Sequence, residues 1–328
     1  MRMSSLSGPI CFGLFLTASG LLGGQTFRED FSSDPAARGW QWFGDPSLFA
    51  WDASNQALEV TWDSSRTNSY FHRPLGTILT RGDEFSLAFN LRLQDIAIGT
   101  TPGKDFTFQL AIAFLNLRDA TRTNFMRGTG MDSPNLVEFD YFPDSGFGAT
   151  VSPTVISSNR VFASSFNVLA LTPDDDFHVT MSYTPSNQTL VTMMTKNREE
   201  FGPIQNVVLT NQTFTDFQVD HVAVCSYSDF GQDPAWDGSI LAHGTVDNFE
   251  LALPAPPVTA VTGAEQGGHW AASFLSQTNW FYLLEATPDF ASWQKVSVVT
   301  PGTGGLLTLT DTNRLGDRAF YRVLAERP

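Results

Sequence analysis

The chain has 328 residues, a formal net charge of −15 and a pI of about 4.6, so phosphate backbones and anionic membrane surfaces are repelled and nucleic-acid binding is excluded. Hydrophobic residues make up 42% and charged residues 16%, which is too apolar for a disordered chain and enough to bury the cores of two domains. The 28 Phe and 8 Trp favour strands, because planar side chains pack well on a pleated surface.

Residues 1–24 carry Arg2, the apolar stretch Ile10–Gly23 and a polar continuation from Gln25, which is the pattern of a signal peptide. The stretch falls short of the roughly 18 residues of a membrane span. The expected product is therefore exported, secreted or held at the cell surface, with no membrane insertion. Cys11 leaves with the leader, and Cys225, following the apolar run His221–Val224, is expected to be a buried packing residue.

From Gln25 to Leu253 short apolar runs alternate with Gly, Pro, Asn, Asp and Ser. Strands are expected at Ala57–Trp62, Phe85–Leu93, Phe106–Asn116, Leu136–Phe142, Phe177–Thr184, Thr189–Thr195, Phe217–Ser226 and Thr245–Leu253. In Phe85–Leu93, residues Phe85, Leu87, Phe89, Leu91 and Leu93 share one face, while Ser86, Asn90 and Arg92 take the other. Pro185-Ser186-Asn187 reads as the turn of a hairpin. The segment LPAPPV at Leu253–Val258 makes a semi-rigid spacer, placing a linker at 254–258 between domains at 25–253 and 259–328. The second domain repeats the β pattern at Phe281–Ala286, Lys295–Val299, Leu306–Thr310 and Phe320–Leu324. The expected fold class is all-β: an antiparallel jelly-roll β-sandwich followed by a smaller β-sandwich.

The segment VEFDYFPDSGFG, Val137–Gly148, resembles the metal-binding strand and loop of legume-type lectins in the concanavalin A-like lectin/glucanase superfamily. The resemblance implies metal ligation by Glu138, Asp140, the Phe142 carbonyl and Asp144. Glu138, Asp140 and Phe142 share one strand face, so their oxygens can converge on one ion. Ala149 and Thr154 stand where that pattern continues with an acid and a histidine, which leaves Ca²⁺ rather than a transition metal. The alternative is that Glu138 and Asp140 sit on a solvated face or satisfy loop amides. The same E-x-D core is similar to laminarinase-like glycoside hydrolases, but Phe142 and Pro143 occupy the positions of the second catalytic Glu, and neither can transfer a proton.

The C-terminal residues Tyr282, Leu284, Glu285, Thr287, Asp289 and Trp293, then Asp311, Thr312 and Phe320–Val323, resemble a small β-sandwich recurring at the ends of exported bacterial proteins. That resemblance implies an accessory or interaction domain.

Indole rings cover the apolar faces of sugars while acids and amides take the hydroxyls. Carbohydrate contacts are accordingly expected from Trp40, Trp42 and Trp51 in the N-terminal aromatic cluster, from Asp140, and from Trp236 in the loop Ser228–Ser239, whose Asp229, Asp233 and Asp237 invite either turn chemistry or Ca²⁺. Asp174-Asp175-Asp176 reads as a solvated acid run, and Arg81-Gly82-Asp83 as a turn before a strand rather than an adhesion motif. No G-x-S-x-G, H-E-x-x-H or C-x-x-C occurs, and the five histidines are scattered. The reading is an exported, non-catalytic, lectin-like protein whose partner is a polysaccharide or cell-surface glycan. A glycoside hydrolase or lyase and a structural or adhesive surface protein remain the alternatives.

Overall fold

Two long strands of alternating apolar residues organise the larger unit, the second shifting its register between Asp247 and Glu250. In Phe85–Ile98 the side chains of Phe85, Leu87, Phe89, Leu91 and Leu93 are all buried, and in Ile240–Leu253 those of Ile240, Ala242, Val246, Phe249, Leu251 and Leu253 are buried too. A period of two gives each strand one core face and one outer face. The computed structural model describes residues 24–128, 131–144, 146, 148–312 and 319–327. The expected leader therefore lies outside the described residues, apart from Gly24.

Among the described residues the two long strands pair antiparallel at the centre of a nine-stranded sheet. Its path runs Glu199–Glu200, Thr189–Lys196, Phe177–Thr184, Phe85–Ile98, Ile240–Leu253, Ala57–Asp63 and Phe49–Asp52, with Gln25–Glu29 also on Ile240–Leu253 and Val207–Val208 on Thr189–Lys196. The facing eight-stranded sheet runs Phe162–Ser164, Thr150–Ile156, Leu136–Phe142, Leu110–Leu115, Val219–Ser226, Ser69–Leu79 and Gln41–Phe43, with Asn167–Val168 also on Thr150–Ile156. Their inner faces enclose one continuous hydrophobic core, giving a jelly-roll sandwich.

The expected hairpin is present, Phe177–Thr184 pairing with Thr189–Lys196. The run Phe106–Asn116 is a strand only over Leu110–Leu115; Phe106 and the preceding Asp105 make isolated bridges to Gly238. Among the strands not anticipated, Ser69–Leu79 and Thr150–Ile156 each hold a proline. Pro153 falls between the short partners of its strand, which pair only at 150–151 and 154–156. Pro74 lies past the end of Gln41–Phe43, which pairs only with Tyr70, Phe71 and His72. Each proline thus sits where one side of the ladder needs no N–H donor. Cys225 is a buried free thiol.

Strands from Val258 onward belong to separate small sheets, Val258–Gln266, His269–Ser276 and Leu306–Thr310 in one, and Phe281–Thr287 with Phe320–Glu326, Gln294–Lys295 and Thr300–Pro301 in the other. Phe274, Trp280, Tyr282, Leu284, Ala286, Val296 and Leu309 form their core. The residues that carried the resemblance of this segment bond to one another. Glu285 pairs with Arg322 at 2.7 Å, the Arg322 guanidinium lies 4.2 Å from the Trp293 ring centre, Tyr321 donates to Asp311 at 2.9 Å, and Thr287 and Asp289 close a turn on each other. Of the expected linker 254–258, Val258 already opens a strand, and the rest is tied at both ends, since Gln25 Nε2 donates to the Pro254 carbonyl and the Tyr282 hydroxyl to the Pro257 carbonyl.

Candidate functional site

On Leu136–Phe142 the odd residues Val137, Phe139 and Tyr141 enter the sandwich core, so the even residues Glu138, Asp140 and Phe142 share the opposite face of the eight-stranded sheet. Both acids are nevertheless fully buried, at 0% exposure. The chain preceding this strand folds back over them and inserts Arg127, itself 5% exposed. Arg127 Nε lies 2.7 Å from Glu138 Oε2, and its Nη2 lies 3.0 Å from Asp140 Oδ2. The Tyr227 hydroxyl donates to the other oxygen of Glu138, and Gln109 Nε2 donates to Asp140 Oδ1 at 3.3 Å. Burial, reinforced by Cys225 and Glu138, pushes the Tyr227 hydroxyl well above its usual range, so Tyr227 stays a neutral donor.

This geometry decides the expected metal set. A buried carboxylate pair needs a positive partner, and a guanidinium already fills that role. A divalent ion at the same oxygens would meet Arg127 within the same shell. Asp144 accepts from the Gly146 amide at 3.1 Å on an exposed turn, and Phe142 is half-buried. Glu138, Asp140, Phe142 and Asp144 therefore do not fit a calcium centre, and no cluster of three or more His, Cys, Asp or Glu side chains with metal-binding geometry occurs among the described residues. The other acid-rich loop is held by hydrogen bonds. Asp229 accepts from Ser64 at 3.1 Å and Thr101 at 3.0 Å and pairs with Lys104 at 2.8 Å, while Asp233 caps the short helical turn Pro234–Trp236.

The expected sugar contacts are not brought together. Trp40 is a core residue at 1% exposure, stacked on Phe71 with ring centres 4.9 Å apart and donating its indole N–H to the buried Glu29 at 2.9 Å. Its assignment to a sugar platform is corrected, because a buried ring has no face to offer. Asp140 is withdrawn from the same role by Arg127. Trp42 (45% exposed) and Trp51 (37% exposed) lie on neighbouring edge strands, at the same lateral edge of the sandwich. Trp42 packs on Phe71, and Trp51 donates to the Phe31 carbonyl at 2.9 Å, so both seal that edge. The Trp236 side chain lies outside the described residues.

A better-formed site occupies the outer face of the nine-stranded sheet. Register places Thr195 opposite His178, His178 opposite Asn90, and Asn90 opposite Asp247, a polar row across four adjacent strands. Neighbouring strands lie roughly 4.8 Å apart, so the row forms a continuous floor. It is ordered internally, His178 Nδ1 lying 2.8 Å from Asn90 Oδ1. Burial raises the Asp247 carboxyl above its ordinary range, against the lowering effect of hydrogen bonds from Asn248 and Asn90. Around the floor, Asn55, Arg92, Gln94, Asp174, Asp176 and Arg198 complete a groove of about 660 Å³. Among the described residues that line it, the one Phe, Tyr or Trp is Phe177, which is buried at 1% exposure. The groove can therefore offer amides that donate and accept, carboxylates that accept and guanidinium groups that donate, together with the His178 imidazole. Alternation in the sequence places Asn90 and Arg92 on an outer face, but the row itself depends on pairing between strands far apart in sequence.

No protein-family model matches the chain, and neither does any curated protein. Solved structures similar to it include legume lectins, which have the concanavalin A-like jelly-roll fold. Peanut lectin with a bound nonapeptide is 15% identical, with 70% of this chain and 98% of that one covered at a TM-score of 0.42. Lectin II from Ulex europaeus is 12% identical, with 71% and 99% covered at a TM-score of 0.47. The legume lectin-like domain from Entamoeba histolytica is 9% identical, with 69% and 95% covered at a TM-score of 0.42.

Proposed function

We propose that the chain is an exported glycan-binding protein, acting outside the cytoplasm without cleaving its ligand, and that the glycan lies in the groove on the outer face of the nine-stranded sheet. The carrying observation is the ordered row Thr195, His178, Asn90 and Asp247, flanked by amides, acids and two arginines. Sugar hydroxyls donate and accept at once, and a floor of mixed donors and acceptors matches them as an apolar pocket does not. A groove of this size and polarity is wet, so a single ring gains little and a chain of several rings gains more. The non-catalytic reading draws on the acids of the eight-stranded sheet: Glu138 and Asp140 are buried against Arg127, with no face open to a glycosidic bond. A glycan-array screen of residues 25–328, followed by titration with the best oligosaccharide, tests the reading. Asp247→Asn and Asn90→Ala should each weaken binding about tenfold, the loss of one or two good hydrogen bonds.

A further inference from the structure

We propose that Arg127 is the resident cation of the Glu138–Asp140 pair, a covalently supplied guanidinium doing the structural work of a metal ion, so that the loops around Arg127 and Tyr227 are organised without any divalent cation. The inference is independent of whether the protein binds glycans. Two carboxylates on alternate residues of one strand point the same way at short separation, and at 0% exposure they cannot be left to water. Their charge is met by one planar group that reaches both, at 2.7 Å and 3.0 Å. A guanidinium suits this better than an ammonium, because its fork presents separate N–H groups to separate carboxylates. The remaining oxygens take neutral donors, Tyr227 on Glu138 and Gln109 on Asp140.

The consequence is structural. Arg127 belongs to the short pairing of Arg127–Gly128 with Met131–Asp132, Tyr227 follows the strand Val219–Ser226, and Gln109 precedes Leu110–Leu115. One buried charge cluster therefore joins four separate segments at one end of the eight-stranded sheet. The backbone around it is close-packed: a Cβ at Gly128 would fall 2.5 Å from the Phe108 ring, and one at Gly231 would fall 2.3 Å from the Met126 sulfur.

Thermal melting with calorimetric titration tests the proposal on residues 25–328. The wild-type melting temperature should be the same in chelator and in millimolar Ca²⁺, Mg²⁺ or Mn²⁺, with no heat of binding. A rise of several degrees with any of these ions that is abolished in Glu138→Gln/Asp140→Asn would overturn it. Arg127→Met should lower the midpoint by roughly 10 °C or prevent folding, because it strands two buried carboxylates. Adding Glu138→Gln and Asp140→Asn to Arg127→Met should then recover most of the loss, since the charges needing compensation are gone. A triple variant no more stable than Arg127→Met would contradict the proposal, even if the single variant does not fold.

Discussion

Arg327 donates from Nη2 to both carboxylate oxygens of Asp83, at 2.7 Å each, and so ties the small C-terminal module to the jelly roll. The two side chains are only 8% and 11% exposed. The Arg327 guanidinium also lies 4.5 Å from the Trp280 ring centre, and Ile78 of the larger sandwich packs against the module's core. Asp83 accepts in addition from the Thr80 amide and hydroxyl, while Arg81 is bonded to the Leu209 and Phe214 carbonyls. The Arg-Gly-Asp triplet is thus spent inside the protein. Breaking one side of a pair this sheltered should cost about 2–4 kcal/mol. Asp83→Asn is expected to split a single calorimetric transition into two, as the module loses its support. One unchanged transition would show that the pair does not couple the units.

The hydrogen bond from Trp40 to Glu29 gives a second prediction. Trp40→Phe keeps most of the apolar volume but removes the indole donor from a fully buried carboxylate that also receives the Phe31 amide and pairs with Arg38. The expected loss is about 2–3 kcal/mol in urea unfolding. Trp42→Ala, at the half-open edge, should cost less than Trp40→Ala, for which about 3–5 kcal/mol is expected. Equal losses at the two positions would contradict the assignment of Trp40 to the core and Trp42 to its margin.

His72 predicts a pH dependence. Burial, helped by the neighbouring His221 and opposed by Asp220, lowers its pKa from 6.5 to about 4. The folded protein keeps His72 neutral where the unfolded chain protonates it, so the unfolded state binds the extra proton. Stability from this group is complete above pH 6.5 and falls as the pH drops towards 4, by up to roughly 3 kcal/mol. The difference in unfolding free energy between wild type and His72→Leu should therefore shift in favour of the variant across that window. A difference independent of pH would show that His72 titrates normally.

Strand positions were legible wherever alternation was unbroken, as in Phe85–Leu93, whose five inward residues are all buried. Ser69–Leu79 and Thr150–Ile156 were hidden by Pro74 and Pro153, because tolerance of a proline depends on where neighbouring strands stop, which is long-range information. The same limit applied to function. The E-x-D pattern at Glu138 and Asp140 pointed to a cation, but the cation proved to be Arg127, eleven residues earlier on a different segment, and no periodicity links the two. Composition marked the N-terminal tryptophans without showing which had a buried partner. The groove combines Asn90, His178 and Asp247, unremarkable singly and joined only by sheet register.

Whether the groove holds the glycan is decided by calorimetric titration of residues 25–328 with β-glucan, galactan and mannan oligosaccharides, with reducing ends assayed on the same polymers. Binding should tighten with chain length, fall about tenfold in Asp247→Asn and in Asn90→Ala, and persist in Trp42→Ala and Trp51→Ala, with no new reducing ends released. Binding that survives both groove substitutions but is lost with Trp42→Ala or Trp51→Ala would contradict the account, as would reducing ends that appear with wild type and vanish in Glu138→Gln.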